Sequence, residues 1–153
     1  MKRLRLFVWQ GVLGCAACLG TAFASPPSVV DISAFQGRVV YLDFWASWCE
    51  PCRRSFPWME TLRKAYEGKG LTVLAIDVDT DRADGDRFLR RFHPGFDVRF
   101  DSSGTLAEQY MVTGMPTSVL IDRHGVQRFR HIGFQPADTA SYEAQVRQLL
   151  AEP

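Results

Sequence analysis

Cysteine and histidine are scarce in this chain, and a strong charge bias is missing. Of 153 residues only four are cysteine and three are histidine. The formal charge at pH 7 is +1, which excludes the dense basic surface of a nucleic-acid binder. No glycine-rich fingerprint for a nicotinamide or flavin nucleotide occurs, so chemistry with those cofactors is not expected. Internal repeats, linkers and low-complexity segments are also lacking. What is present is an ordinary apolar fraction of 46% in a length suited to one compact domain rather than two.

Charge is absent from one long stretch. Lys2, Arg3 and Arg5 lead into LFVWQGVLGCAACLGTAFA, where no residue from Leu6 to Ala24 is charged. A basic start, an apolar run and small residues at Ala22 and Ala24 make the pattern of a secretory signal cleaved before Ser25. The 19-residue run also reaches the lower limit for an uncleaved bilayer anchor. Val12-Leu13-Gly14-Cys15 resembles a bacterial lipobox, which would lipidate Cys15. The expected organisation is therefore residues 1–24 as signal peptide or membrane tether and residues 25–153 as one domain. Each alternative puts the domain in the periplasm or on the outer face of the cytoplasmic membrane. Removing residues 1–24 turns the formal +1 into −2.

The cysteines form two C-x-x-C pairs, Cys15/Cys18 and Cys49/Cys52. A four-cysteine zinc site would need both pairs in one folded unit. The first pair lies inside the targeting run, so no metal site is expected from them. A structural disulfide between Cys49 and Cys52 would close a very short loop, and stabilisation in the chain-entropy picture grows with loop length. An adjacent pair outside the cytoplasm is better suited to cycling between dithiol and disulfide. His93, His124 and His131 are scattered and read as solvated or partly packed side chains rather than ligands. A copper-holding dithiol stays open, with Met115 as the one further soft ligand.

Val39 to Trp45 is a β-branched and aromatic run, the mark of a buried strand, with one odd charge at Asp43. A helix is predicted after Cys49 from Phe56, Met59, Leu62 and Tyr66, with Pro57 inside it as a kink and Gly68-Lys69-Gly70 as its end. Further strands are predicted at 71–78, 96–100, 117–121 and 126–132, the last two as a hairpin. Helices are predicted at 84–92, at 105–110 and around Tyr142, Val146, Leu149 and Leu150. Alternating strands and helices with a terminal hairpin argue for an α/β domain with a mixed central sheet.

WASWCEPC after a strand, Pro57 five positions beyond Cys52, and Gly114-Met115-Pro116-Thr117 before the hairpin together resemble the thioredoxin superfamily. The resemblance spans nearly all of residues 30–151. Pro116 follows Cys52 by 64 positions, longer than in thioredoxin itself, and the extra length is the strand–helix region around 71–100. That insertion, WCEPC and GMPTSVLIDRHG are similar to the TlpA/ResA group of extracytoplasmic thiol-disulfide oxidoreductases. The cytochrome-c-maturation reductase CcmG is a cousin, but it usually has glutamate where this chain has Thr117.

The resemblance implies a thioredoxin-like fold with a TlpA/ResA-type strand–helix insertion and a cis bond at Met115-Pro116. It implies that Met115 and Pro116 face the cysteines and offer backbone to a substrate chain. Cys49 becomes the nucleophile, because a helix N-terminus favours its thiolate, and Cys52 the sheltered resolving thiol. Pro51 stiffens the turn, while Trp48 either shields the site or packs in the core. Glu50 should raise the pKa of Cys49 and so favour electron donation, besides suiting the start of a helix. Asp43 should be buried, with a raised pKa, and accept the proton of Cys52. Arg53 and Arg54 read as a solvated first helical turn. Asp77, Asp79 and Asp81 read as a loop of solvated caps with only a faint suggestion of calcium.

The function expected from these residues is reduction of protein disulfides outside the cytoplasm, with no cofactor beyond the redox-active disulfide. Electrons would come from a membrane thiol-reductant carrier of the DsbD/CcdA type. Apocytochrome c is one candidate substrate, misoxidised envelope proteins another. A monomer and no nucleic-acid partner are expected. The competing readings are a disulfide oxidase or isomerase, and a copper-binding thioredoxin-like chaperone.

Overall fold

The computed structural model describes residues 32–153. The predicted signal segment 1–24 and the Cys15/Cys18 pair lie outside the described residues. After a 3₁₀ turn at Ile32–Phe35, the elements run β1 (Val39–Trp45), α1 (Glu50–Tyr66), β2 (Leu71–Asp77), α2 (Arg82–Phe92), β3 (Asp97–Phe100), α3 (Thr105–Gln109), β4 (Thr117–Ile121), β5 (Gln127–Ile132) and α4 (Thr139–Ala151). The strands form one sheet in the order β3-β2-β1-β4-β5. β1 lies parallel to β2, and β2 to β3, while β4 runs antiparallel to both β1 and β5. The predicted mixed sheet with an antiparallel hairpin edge is therefore what forms.

Every residue of β1 is buried, as its position in the middle of the sheet requires. Successive side chains of a strand point to opposite faces. Val39, Tyr41 and Trp45 accordingly join α1 residues Phe56, Met59 and Leu62 and α4 residues Val146 and Leu149 in one core cluster. Val40, Leu42 and Phe44 join Leu74, Ile76, Leu106, Tyr110, Val119 and Ile121 in another. The first cluster is rich in rings. Trp45 meets Phe56 and Phe88 at centroid separations of 4.8 and 4.6 Å, and Phe56 meets Phe96 at 5.4 Å. Edge and tilted contacts of this kind add to the burial of large apolar side chains.

The helix ends follow local chemistry. α1 runs through exposed Pro57, which has no amide to donate to the preceding turn. Gly70, at φ +102°, supplies the left-handed turn into β2. Asp81 caps α2 by accepting the Ala83 amide. Among the described residues, no helix is long and apolar enough to cross a membrane.

Candidate active site

The Cys49/Cys52 pair sits where β1 delivers the chain to the start of α1. Cys49 is the N-cap residue, with extended backbone, and its Sγ accepts the Cys52 amide at 3.2 Å. The two residues are joined as a disulfide across a Cα separation of 5.3 Å. Cys49 keeps 4% of its surface exposed and Cys52 none. One sulfur thus lies at the rim, at the end of a helix whose free amides favour negative charge, and the other lies inside. Pro51 falls in the first turn, where its missing N–H leaves no acceptor unsatisfied.

Asp43 lies on the face of β1 that α1 covers, in phase with Tyr41 and Trp45. It pairs in register with Ala75 on β2 and Ser118 on β4. It is fully buried. The Ser118 hydroxyl donates to Oδ1 at 2.6 Å, and Oδ2 has no hydrogen-bond partner among the described residues. Burial pushes its pKa up to about 7, against the smaller opposing effect of the Ser118 bond. Burial, reinforced by the nearby Asp43, also drives the Tyr41 phenol well up. Asp43 and Cys52 thus both face the core between β1 and α1.

Met115-Pro116 is a cis peptide bond, as the resemblance implied. It stands at the same end of the sheet as the disulfide, because Thr117 pairs with Phe44 near the end of β1. Met115 packs on the core cluster that contains both cysteines. The loop is pinned by Thr117 Oγ1 donating to the Gly114 carbonyl and by the Gly133 amide donating to the Pro116 carbonyl, both at 2.7 Å. Thr117, the position where CcmG-like chains differ, is fully buried and spends its hydroxyl on this pin.

Two expectations change. Trp48 is 68% exposed, so it does not pack in the core; that place is taken by Trp45. Trp48 directly precedes the N-cap Cys49, in a loop without strand alternation. The aspartates at the end of β2 and beyond it are not all solvated caps. Asp81 is, but Asp77 is fully buried and Asp79 only 3% exposed. Asp77 is in phase with Leu71, Val73 and Ala75 and stands opposite Trp45. Burial, with the negative Asp79 beside it, pushes its pKa up to about 7. Asp79 accepts the amide and hydroxyl of Ser47, two positions before Cys49. The calcium suggestion has no support in this geometry: among the described residues no group of three or more His, Cys, Asp or Glu could hold a metal.

Glu50 is exposed at the first helical position and faces Arg53 and Arg54 at 3.5 and 3.8 Å. Arg53 also donates to the Ser47 carbonyl at 3.3 Å. Among the histidines, His131 bonds Gln145 at 2.8 Å and packs on Tyr142. His93 is the left-handed C-cap of α2, and His124 is exposed.

A five-stranded mixed sheet, a cysteine pair at the head of its first long helix and a cis-proline loop at the same end define a thioredoxin-like domain. The chain belongs to the Redoxin family, whose model matches residues 16–146. It is 34% identical over 96 residues to the thiol-disulfide oxidoreductase ResA of Bacillus thuringiensis subsp. konkukian, an alignment that takes in 63% of this chain and 56% of that one. It thus spans little more than half of that relative's length. A candidate thiol:disulfide interchange protein DsbE from Chlorobium tepidum, solved by crystallography, superposes with a TM-score of 0.77 at 47% identity, over 78% of this chain and 85% of that one. A thioredoxin family protein from Chlorobium tepidum TLS shares the fold at a TM-score of 0.68 and 24% identity, over 78% and 85% of the two chains.

Proposed function

We propose that this protein is an extracytoplasmic thiol-disulfide oxidoreductase that reduces protein disulfides. The observation that carries the reading is the Cys49 sulfur acting as the N-cap acceptor of α1, since the same amide would stabilise a thiolate there. In the reduced protein the Cys49 thiolate attacks one sulfur of a substrate disulfide. A mixed disulfide forms and the other substrate sulfur leaves as thiolate. Cys52 passes its proton to Asp43 and attacks Cys49 Sγ, which releases the second substrate sulfur and closes the Cys49–Cys52 disulfide. Two electrons have then moved to the substrate, and Asp43 returns its proton to solvent or to the product thiolate. The internal second attack is fast because both sulfurs belong to one turn of chain.

Two carboxylates, Glu50 beside the rim sulfur and Asp43 in the core, disfavour anionic sulfur and so favour a dithiol that gives electrons away. A membrane thiol carrier of the DsbD/CcdA type would return the protein to the dithiol state. Residues 1–24 would export the domain, and apocytochrome c is a candidate substrate alongside misoxidised envelope proteins. Equilibration with glutathione buffers tests the direction. A potential well below about −200 mV supports a reductant, and one near −120 mV, where strong oxidants such as DsbA lie, makes the protein an oxidase instead. Turnover of insulin disulfides tests the activity itself.

A further inference from the structure

Three hydrogen bonds converge on Ser47, in the loop that joins β1 to Trp48 and Cys49. Its amide donates to Asp79 Oδ2 at 2.8 Å, and its hydroxyl to Asp79 Oδ1 at 3.1 Å. Its carbonyl accepts from Arg53 at 3.3 Å. Both oxygens of a buried carboxylate are thus committed to one residue 32 positions away in sequence. Asp79 is held in its turn. Its amide donates to Asp77 Oδ1 at 2.9 Å, and the intervening Val78 amide donates to the Trp45 carbonyl at 2.9 Å. Asp77 is pressed under α2, where only glycine fits: a Cβ on Gly85 would lie 1.7 Å from Asp77 Oδ2. The end of β2 and the cysteine loop therefore form one hydrogen-bonded unit, with α2 packed against its base.

We propose that Asp79 is a positioning residue for the cysteine pair, clamping Ser47 so that Trp48 and the Cys49 sulfur keep their place at the head of α1, with Asp77 as its backing. This rests on the oxidoreductase reading above. The cap bond from the Cys52 amide exists only while residues 46–49 hold their turn, which the Cys49 amide closes on the Ala46 carbonyl at 3.1 Å. The clamp ties Ser47 by both its backbone and its side chain to one buried group, a two-point hold that fixes orientation as well as distance. A loosened loop would let the thiolate leave the amides that stabilise it. The attack geometry at the substrate sulfur would also broaden.

The test compares Asp79→Ala, Asp79→Asn and Ser47→Ala in the reduced protein. Two quantities are read: the rate of exchange with oxidised glutathione, and the pH midpoint of Cys49 alkylation by iodoacetamide. Asp79→Ala is expected to slow exchange at least tenfold and to raise the alkylation midpoint. Asp79→Asn keeps an oxygen for the Ser47 amide and an amide group for its hydroxyl, and should recover most of the loss. Ser47→Ala keeps the backbone bond and should fall between. An Asp79→Ala protein that melts lower but exchanges and alkylates like wild type overturns the proposal. So does an Asn variant no better than Ala. Should Asp79→Ala fail to fold, Ser47→Ala decides from the loop side, and an unchanged midpoint there also overturns the clamp. Wild-type protein that exchanges no disulfide defeats the oxidoreductase reading alone, because the alkylation midpoints still report the clamp.

Discussion

The two faces of the central sheet are built from the same strands and differ in one respect. The strand residues on the face under α3 include no carboxylate: Val40, Leu42 and Phe44 of β1 meet Leu74 and Ile76 of β2 and Val119 and Ile121 of β4, with the uncharged Thr117 opposite Phe44. The face under α1 and α4 is equally buried, yet it accommodates Asp43, Asp77 and Ser118. A buried carboxylate with an unpartnered oxygen is unfavourable, and each of the two acids has one. Among the described residues, buried strand carboxylates occur only on the side that holds the cysteines. One face therefore stabilises the fold, and the other gives up stability where the proposed chemistry needs titratable groups.

The largest effect should separate the faces directly. Asp43→Asn keeps the size of the side chain but cannot take the Cys52 proton. Loss of a positioned base typically lowers a rate by about 10²–10⁴. Resolution of a trapped mixed disulfide at pH 7 is expected to slow by about 10², while the folded state above pH 7 becomes more stable. Leu42→Ala on the opposite face should do the reverse. It should destabilise by about 2–5 kcal/mol and leave the resolution rate of the folded protein alone. Denaturant melts and stopped-flow quenching read both quantities. Equal resolution rates in wild type and Asp43→Asn would remove Asp43 from the mechanism.

The same contrast predicts a pH dependence of an uncommon sign. Asp43 and Asp77 titrate in the folded protein at about 7, raised from 3.8. The folded state therefore binds more protons than the unfolded state between those values, and stability falls as pH rises through that window. For Asp43 the loss across the window is on the order of 4 kcal/mol, since each pH unit between the two values contributes about 1.4 kcal/mol. Glu60 acts oppositely. Its bond from Arg63 is the main cause of a pKa lowered to about 2 from 4.5, so its contribution is present above 4.5 and lost as pH falls through about 2. The disulfide form should be most stable near pH 4 and lose stability toward neutrality. Urea midpoints measured from pH 3 to 8 check this, and a flat profile between 4 and 7 contradicts the burial of the two acids.

A smaller effect probes the helix above Asp77. Gly85→Ala places a methyl group against the carboxyl oxygen and should destabilise by about 1–3 kcal/mol, the usual range for overpacking. The double variant Asp77→Ser/Gly85→Ala removes the obstacle. Its loss should be less than the sum of the two single losses, since residues in contact couple. Additive losses would show that α2 does not bear on Asp77.

Much of this arrangement was legible in the sequence, and the reasons are local. β1 and β4 form at the predicted residues because each is rich in β-branched or aromatic residues, with no glycine or proline inside it to offer a competing turn. The Cys49/Cys52 pair and the cis Met115-Pro116 bond carry short-range signatures. Asp43 could be singled out because a charge inside an apolar strand is conspicuous. Asp77 stands in the same phase relation to Leu71, Val73 and Ala75, and that alternation was the signal available for it. The acidic loop after it masked the pattern. Asp79 had no such signal, because its role is a contact with Ser47 across two elements. The exposure of Trp48 was equally illegible: which of two nearby tryptophans fills the core depends on where β1 ends.

Glu50 should give the smallest effect, and its position on the comparison is informative. Unlike Asp43 and Asp77 it is on the surface, and Arg53 and Arg54 already offset its charge. Exposed ion pairs are screened by water and salt, so their influence on a neighbouring group is modest. Glu50→Gln should lower the pH midpoint of Cys49 alkylation slightly and make the pair a little more oxidising. The equilibrium constant with glutathione should move by less than tenfold, which is under about 30 mV for a two-electron couple. The change should shrink further in high salt. Asp43→Asn should show no such salt dependence, because its environment excludes the screening ions. A Glu50→Gln change beyond tenfold, insensitive to salt, would place the lever on redox direction at the rim of the site rather than in the core.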